Sequence, residues 1–266
     1  MTPEQMQAAA AALVEAERTG VQCGLISLAH PGMTLDDAYA VQDAVVAQKI
    51  ASGVTRIGWK IGLTSRAMQQ ALNITTPDSG VLLSDMAFDS GATVPAGRFI
   101  QPRVEAEIAF VMRRDLSGAD ITREDVLAAT QAVVPALEIL DTRILRADPA
   151  TGTPRIIFDT VADNAANAGI VLGSERRGPG DVDLRWTGAI VKRDGVVEET
   201  GLGAGVLDDP ATGIVWLVQR LARYGRGLAA GDIVLSGSFI RPVEAPPGTR
   251  IEADYGPLGV VRIAFA

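Results

Sequence analysis

The sequence predicts an α+β protein: an N-terminal helical lobe over residues 1–56, then a β-rich domain over residues 57–266. Two helix-start signatures lie in the first fifty residues, and from Ile57 onward short β-branched runs alternate with Gly, Pro and Asp punctuation. A chain of 266 residues with 47% hydrophobic content is also long enough to bury a substantial core. In the first helix, Thr2-Pro3-Glu4-Gln5 offers an N-cap, a proline at the first turn and a capping-box glutamine, before an alanine-rich run to about Arg18. Thr34 to Asp37 repeats that signature, and the second helix turns Ala38, Val41, Val45 and Ile50 inward before stopping near Gly53. A third helix is expected between about Ile121 and Val133, led by Thr122 and Glu124. Asp-Gly in Arg193-Asp194-Gly195-Val196 signals a tight hairpin. A last helix starts at Asp209-Pro210, directs Ile214, Leu217, Val218 and Leu221 inward, and ends at Gly225.

Composition excludes several classes of function. A net charge of −8 lacks the basic footprint that nucleic-acid binding needs. No apolar run is long enough to span a bilayer, so no membrane role is expected. The single cysteine, Cys23, rules out an internal disulfide framework, and with no secretory signature the expected setting is a reducing cytoplasm. The single histidine, His30, lies beside Pro31 and Gly32, far in sequence from the acids described next, which weakens any Ser-His or Cys-His chemistry.

Three acids stand out. Glu105 and Glu107, in Pro102-Arg103-Val104-Glu105-Ala106-Glu107-Ile108-Ala109-Phe110, alternate on a strand and so face the same side, where like charges repel. Alone, they read more readily as the solvated face of an edge strand. Glu138 reverses that preference, because Val133-Val134-Pro135-Ala136-Leu137-Glu138-Ile139-Leu140 otherwise reads as core strand and an unpaired buried carboxylate is costly. One cation held by all three acids would compensate them. Oxygen ligands without His or Cys favour a hard ion, Mg²⁺ or Mn²⁺ ahead of Zn²⁺.

Other motifs have weaker signals. Gly58-Trp59-Lys60-Ile61-Gly62-Leu63-Thr64-Ser65 puts a lysine between glycines in an apolar strand, where backbone can approach a ligand and the ammonium can meet an anion. Thr76-Pro77-Asp78-Ser79-Gly80 has the composition of a turn. Gly201-Leu202-Gly203-Ala204-Gly205 is not a dinucleotide loop, since Val206 replaces the last glycine and the next helix begins later. The polar stretch from Asp159 to Asn167 suits a loop lining a cavity or a surface turn, and Ser236-Gly237-Ser238-Phe239-Ile240-Arg241-Pro242 could hold a carboxylate.

Taken together, Gly58-Trp59-Lys60-Ile61-Gly62-Leu63-Thr64-Ser65, Pro102-Arg103-Val104-Glu105-Ala106-Glu107, Pro135-Ala136-Leu137-Glu138 and Asp163-Asn164-Ala165 resemble the 2-oxopent-4-enoate hydratase and 4-oxalocrotonate decarboxylase family of the fumarylacetoacetate hydrolase superfamily. The likeness runs from the N-terminal helices to the final strand. Pro154 to Thr160, Asp163 to Gly169 and Gly237 to Pro242 most resemble members that hydrate 2-oxohept-4-ene-1,7-dioate in homoprotocatechuate degradation. Trp59 departs from them and places a large ring at the expected pocket wall. The resemblance implies a mixed β-roll, a divalent metal on Glu105, Glu107 and Glu138, and homo-oligomers built from dimers. It implies addition of water across C4=C5 to give 4-hydroxy-2-oxoheptanedioate. Lys60 would bind the 2-oxo acid end and Asp78 would move protons, while Arg155 or Arg241, with Ser238, would receive the distal carboxylate of a dicarboxylate substrate. The shorter pentadienoate, decarboxylation of 4-oxalocrotonate, acylpyruvate cleavage, or a metal-binding subunit associated with a decarboxylase of the same pathway are the competing expectations.

Overall fold

The structure is a computed structural model and describes residues 1–71 and 74–266. The chain opens with α1 (Pro3–Thr19), α2 (Ile26–Ala29) and α3 (Leu35–Ala51). Both expected capping boxes form, Thr2 with Gln5 and Thr34 with Asp37. β1 (Arg56–Gly62), α4 (Arg66–Ala71), β2 (Asp78–Leu83), β3 (Ala87–Asp89), β4 (Thr93–Val94) and β5 (Arg103–Met112) follow, then α5 (Arg123–Ala129), β6 (Thr130–Leu140), α6 (Ile157–Ala162) and β7 (Asn167–Leu172). The chain ends with β8 (Gly188–Arg193), β9 (Val196–Leu202), α7 (Pro210–Ala222), β10 (Ile233–Leu235), β11 (Val243–Glu244), β12 (Arg250–Asp254) and β13 (Val260–Phe265). Asp194 and Gly195 both take positive φ between β8 and β9, as a two-residue Asp-Gly hairpin requires. The helix expected to reach Val133 stops at Ala129, because Thr130 and the β-branched run after it join the central sheet as β6. Asp78, expected in a turn, begins β2 instead. Ile50, expected to point inward, is exposed.

Among the described residues, an eight-stranded sheet runs β2-β1-β10-β5-β6-β7-β3 with β11 added beside β5, and a five-stranded sheet runs β4-β13-β12-β8-β9. Parallel and antiparallel pairs coexist in both, giving the mixed β-roll with its N-terminal helical lobe. One face of the larger sheet packs against the smaller sheet and α7 through Ile108, Phe110, Leu137, Val191, Ile263 and Leu217. Its other face starts apolar, with Ala109, Val111, Val134 and Leu235, and turns charged further along the same strands. The N-terminal helices have their own apolar cluster. Ala10, Leu13, Val41 and Val45 pack with Ile144 and Val161, so this cluster reaches across the boundary expected at residue 56. Among the described residues no helix is long and apolar enough to cross a membrane.

Candidate active site

Strand alternation puts the acids where the sheet changes character. Glu105 and Glu107 lie on β5 on the same face as Ala109 and Val111, and Glu138 on β6 shares the face of Val134 and Ala136. Antiparallel register sets Glu105 directly opposite Glu138 and Glu107 opposite Ala136. One carboxylate oxygen from each glutamate lies within 4.8 Å of the others. Glu107 and Glu138 are fully buried, and Glu105 is half-buried. Tyr255, from the end of β12, donates its hydroxyl to the Ala136 carbonyl and accepts from the Glu107 N–H at 3.2 Å, anchoring this register pair to the smaller sheet.

Each buried carboxylate has one oxygen tied to protein and one that is not. Glu107 Oε2 accepts from the Gly237 N–H at 2.8 Å, while its Oε1 is buried without a partner among the described residues. Glu138 Oε1 accepts from Asn167 Nδ2 at 2.6 Å and lies 3.4 Å from Lys60 Nζ, while its Oε2 is buried without one. Buried acceptors left in this state are unstable unless protonated or bound to a cation. Burial, reinforced by Glu138, pushes the Glu105 carboxyl up to about 8, and burial with Glu138 and Glu105 raises Glu107 well above its ordinary range. Three oxygens of this kind, with no nitrogen or sulfur ligand among them, fit a hard divalent cation.

A cavity of about 470 Å³ opens onto this cluster. Its lining includes Lys60, Asp78, Glu105, Arg155 and Ser238 from the expected set, with Leu140, Ile156, Ile157 and Ile240 forming apolar walls. Lys60, on β1, is buried on the same face as the acids. Burial would lower its pKa, but Glu138, Asp78, Glu105 and Glu107 outweigh that and raise it, so Lys60 is a fixed cation rather than a base. Asp78 is raised as well, which for a carboxyl favours the neutral form: burial raises it and Glu138 adds to that, against Lys60. Its Oδ1 is buried without a partner among the described residues.

Gly62 is what lets the two meet. It stands opposite Asp78 in the β1–β2 ladder, and a Cβ there would lie 2.3 Å from Asp78 Oδ1 and 2.9 Å from Lys60 Nζ. Gly62→Ala is therefore expected to leave the circular dichroism spectrum unchanged while lowering kcat/KM by about a hundredfold, the scale on which small misplacements of reacting groups act. Turnover within threefold of wild type would show that the two side chains need no such closeness. Gly237, with φ 115°, is similarly constrained: a Cβ there would lie 2.3 Å from Thr64 Oγ1. Backbone strain gathers at the same cavity, where Leu63 and the consecutive Ala165 and Ala166 all have left-handed φ.

The structure corrects two expectations of position. Arg241 is not among the residues lining the cavity; its side chain is 77% exposed and its guanidinium pairs with Glu199 at 2.6 Å. Trp59 does not form the pocket wall, because alternation turns it to the face opposite Lys60, where it is buried in the main core. The polar stretch from Asp159 does reach the cavity, through Thr160, Ala165 and Ala166, but Asp163 is buried in an ion pair with Arg143 at 2.5 Å. Leu63, Thr64, Ile156 and Thr160 were not singled out in the sequence as site residues, since only the meeting of β1 with the segment around α6 reveals them.

Fold and site together define a β-roll protein with a place for a hard divalent cation beside a fixed ammonium and a second buried carboxyl. No protein-family model matches the chain. It is 50% identical to 2-oxo-hept-4-ene-1,7-dioate hydratase of Escherichia coli, covering 95% of each chain. It is 40% identical to 2-keto-4-pentenoate hydratase of Paraburkholderia xenovorans, covering 100% of this chain and 96% of that one. Among solved structures it is similar to 4-oxalocrotonate decarboxylase of Pseudomonas putida G7 complexed with magnesium and adipate, with TM-score 0.94, 32% identity, and 100% and 99% of the two chains covered. The chain belongs to the 2-oxopent-4-enoate hydratase and 4-oxalocrotonate decarboxylase family.

Proposed function

We propose that this chain is a hydro-lyase that adds water across C4=C5 of 2-oxohept-4-ene-1,7-dioate, giving 4-hydroxy-2-oxoheptanedioate in homoprotocatechuate degradation. The observation that carries the reading is the joining, in one cavity, of an oxygen-only cation site with Lys60, Asp78 and Arg155, a set matched to a 2-oxo acid with a second carboxylate. Hydratase names on the relatives of higher identity favour hydration over decarboxylation. Glu105, Glu107 and Glu138 would hold Mg²⁺ or Mn²⁺, which when bound supplies positive charge opposite the carboxylate and keto oxygens of the 2-oxo acid. Lys60 adds a second, fixed cation at that end. Asp78 takes the enol O–H proton and delivers it to C5 of the dienol, which moves the double bond into conjugation with the 2-oxo group and leaves Asp78 ionised. Water then supplies hydroxyl to C4 and a proton to C3, with Asp78 taking the water's proton and passing it on. The apolar walls keep bulk water from the remaining chain.

Arg155 is the group we assign to the distal carboxylate. It lines the cavity, and its Nη1 is held by Thr142 Oγ1 at 2.5 Å, which leaves the rest of the guanidinium fork for a ligand. Arg155→Gln is expected to lower kcat/KM for the seven-carbon dioate by about tenfold or more, as loss of a charged hydrogen bond does, and to leave the five-carbon 2-hydroxypenta-2,4-dienoate nearly unaffected. Equal losses on both substrates would remove Arg155 from this role. Oligomers built from dimers and association with a decarboxylase of the same pathway belong to the same proposal and rest on family resemblance; a cytoplasmic setting belongs to it too and rests on the single cysteine, Cys23.

Incubation of the protein and Mg²⁺ with freshly generated 2-hydroxyhepta-2,4-dienedioate tests the reaction, with the product identified by mass. Gain of one water is expected. Loss of carbon dioxide would make the chain a decarboxylase, and cleavage into two fragments would make it a hydrolase.

A further inference from the structure

We infer that Asn167 is a positioning residue for the cation site: its amide holds Glu138 so that Oε2, and not Oε1, faces the ion. This rests on the metal reading of the three glutamates and assigns a role to a side chain that reaches neither substrate nor cavity. Asn167 opens β7, next to β6, and is fully buried. A buried amide is expensive unless its hydrogen-bonding groups are used, so its presence among core residues needs a reason. Nδ2 donates to Glu138 Oε1 at 2.6 Å. Lys60 Nζ approaches the same oxygen at 3.4 Å. With Oε1 occupied from two sides, Oε2 is left without a partner among the described residues.

Glu107 shows the same division by a different device, the Gly237 N–H on Oε2 and an unpartnered Oε1. Two buried acids on neighbouring strands each have one oxygen fixed and one left open. That is the arrangement of ligands oriented by an outer layer of hydrogen bonds, where removal of an outer partner typically weakens metal binding by 10–100-fold. Of the donors, Asn167 can be removed without touching the backbone or an ionised group. Behind it lies a small void of about 10 Å³ that Asn167 lines with Glu17, Arg98, Asp141 and Arg143, and Asn167 Oδ1 has no protein partner there among the described residues. Such a space is near the size of one water, which would satisfy Oδ1 and fix the amide with its donor end toward Glu138.

Asn167→Ala removes the donor, and Asn167→Leu removes it while filling the volume. Both are tested by calorimetric Mg²⁺ titration and by the Mg²⁺ concentration needed for half-maximal turnover. Expected are at least tenfold weaker Mg²⁺ binding, a matching rise in the half-activating concentration, and kcat at saturating Mg²⁺ within about threefold of wild type. A packing role alone would lower activity at every Mg²⁺ concentration. Mg²⁺ affinity within threefold of wild type in either folded variant overturns the inference, and so does failure of both variants to fold with Mg²⁺ present, which would make Asn167 a packing residue. Wild-type protein that binds no Mg²⁺ would defeat the metal site itself, a separate outcome.

Discussion

Glu107→Gln and Glu138→Gln are each expected to weaken Mg²⁺ binding by more than about a hundredfold, beyond the range seen for outer-layer partners, and to abolish turnover while the protein stays folded. The amide keeps the volume and removes the charge that holds the cation. The metal-free protein should respond in the opposite sense. Glu107 and Glu138 are fully buried, each with one oxygen unpartnered among the described residues, and one oxygen of each lies within 4.8 Å of one from Glu105. With chelator present, each Gln variant is therefore expected to melt at a higher temperature than wild type, since a buried like charge has been replaced by a neutral group. Added Mg²⁺ should reverse that order by stabilising wild type alone.

The same charges fix a pH dependence. Burial and Glu138 raise the Glu105 carboxyl from its ordinary 4.5 to about 8, so between those values folded metal-free protein binds more protons than unfolded chain. Its stability must therefore fall as pH rises through this window. Mg²⁺ must displace those protons, so its affinity should climb with pH over the same range. Melting curves and Mg²⁺ titrations at pH 5, 6.5 and 8 check both trends. Unchanged Mg²⁺ binding in the two Gln variants would show that these acids are not ligands, whatever the pH data give.

Much of this site is written locally in the chain, and the reasons it is or is not legible are physical. Glu105 and Glu107 announce a common face because alternation is a property of one strand, and Glu138 is conspicuous because its neighbours are apolar. That Glu105 faces Glu138 directly depends on the β5–β6 register, which no single segment encodes. Asp78 was masked by Thr-Pro before it and Ser-Gly after it, a turn composition overridden when β2 pairs with β1. Gly62 shows why the override holds, since at its position opposite Asp78 any larger residue would collide with the carboxyl. Arg241 and Arg155 look alike in sequence, and only tertiary placement sends one to Glu199 at the surface and the other to the cavity. Asn167 closes the polar stretch from Asp159, but its meaning lies in a bond to an acid 29 positions earlier.

Asp78→Asn is expected to lower kcat by roughly 10²–10⁴-fold, the usual contribution of a positioned acid–base group, with the inhibition constant for oxalate unchanged. Oxalate carries the two adjacent oxygen donors of a 2-oxo acid but needs no proton transfer, so it reports on the cation site and Lys60 without the chemical step. The environments divide the labour. Lys60 is buried among four carboxyls that hold its proton in place, which suits binding and charge stabilisation. Asp78 is buried with its carboxyl raised and one oxygen unpartnered, which suits gaining and losing a proton. Lys60→Ala should accordingly raise KM and weaken oxalate, whereas Asp78→Asn should act on kcat alone. If Asp78→Asn retained full kcat, proton transfer would have to pass to another group at the cavity. Asp163 could not take it over, since both its oxygens are committed to Arg143 at 2.5 and 2.9 Å. Glu105, which of the three glutamates is the one in the cavity lining, would be the group to test next.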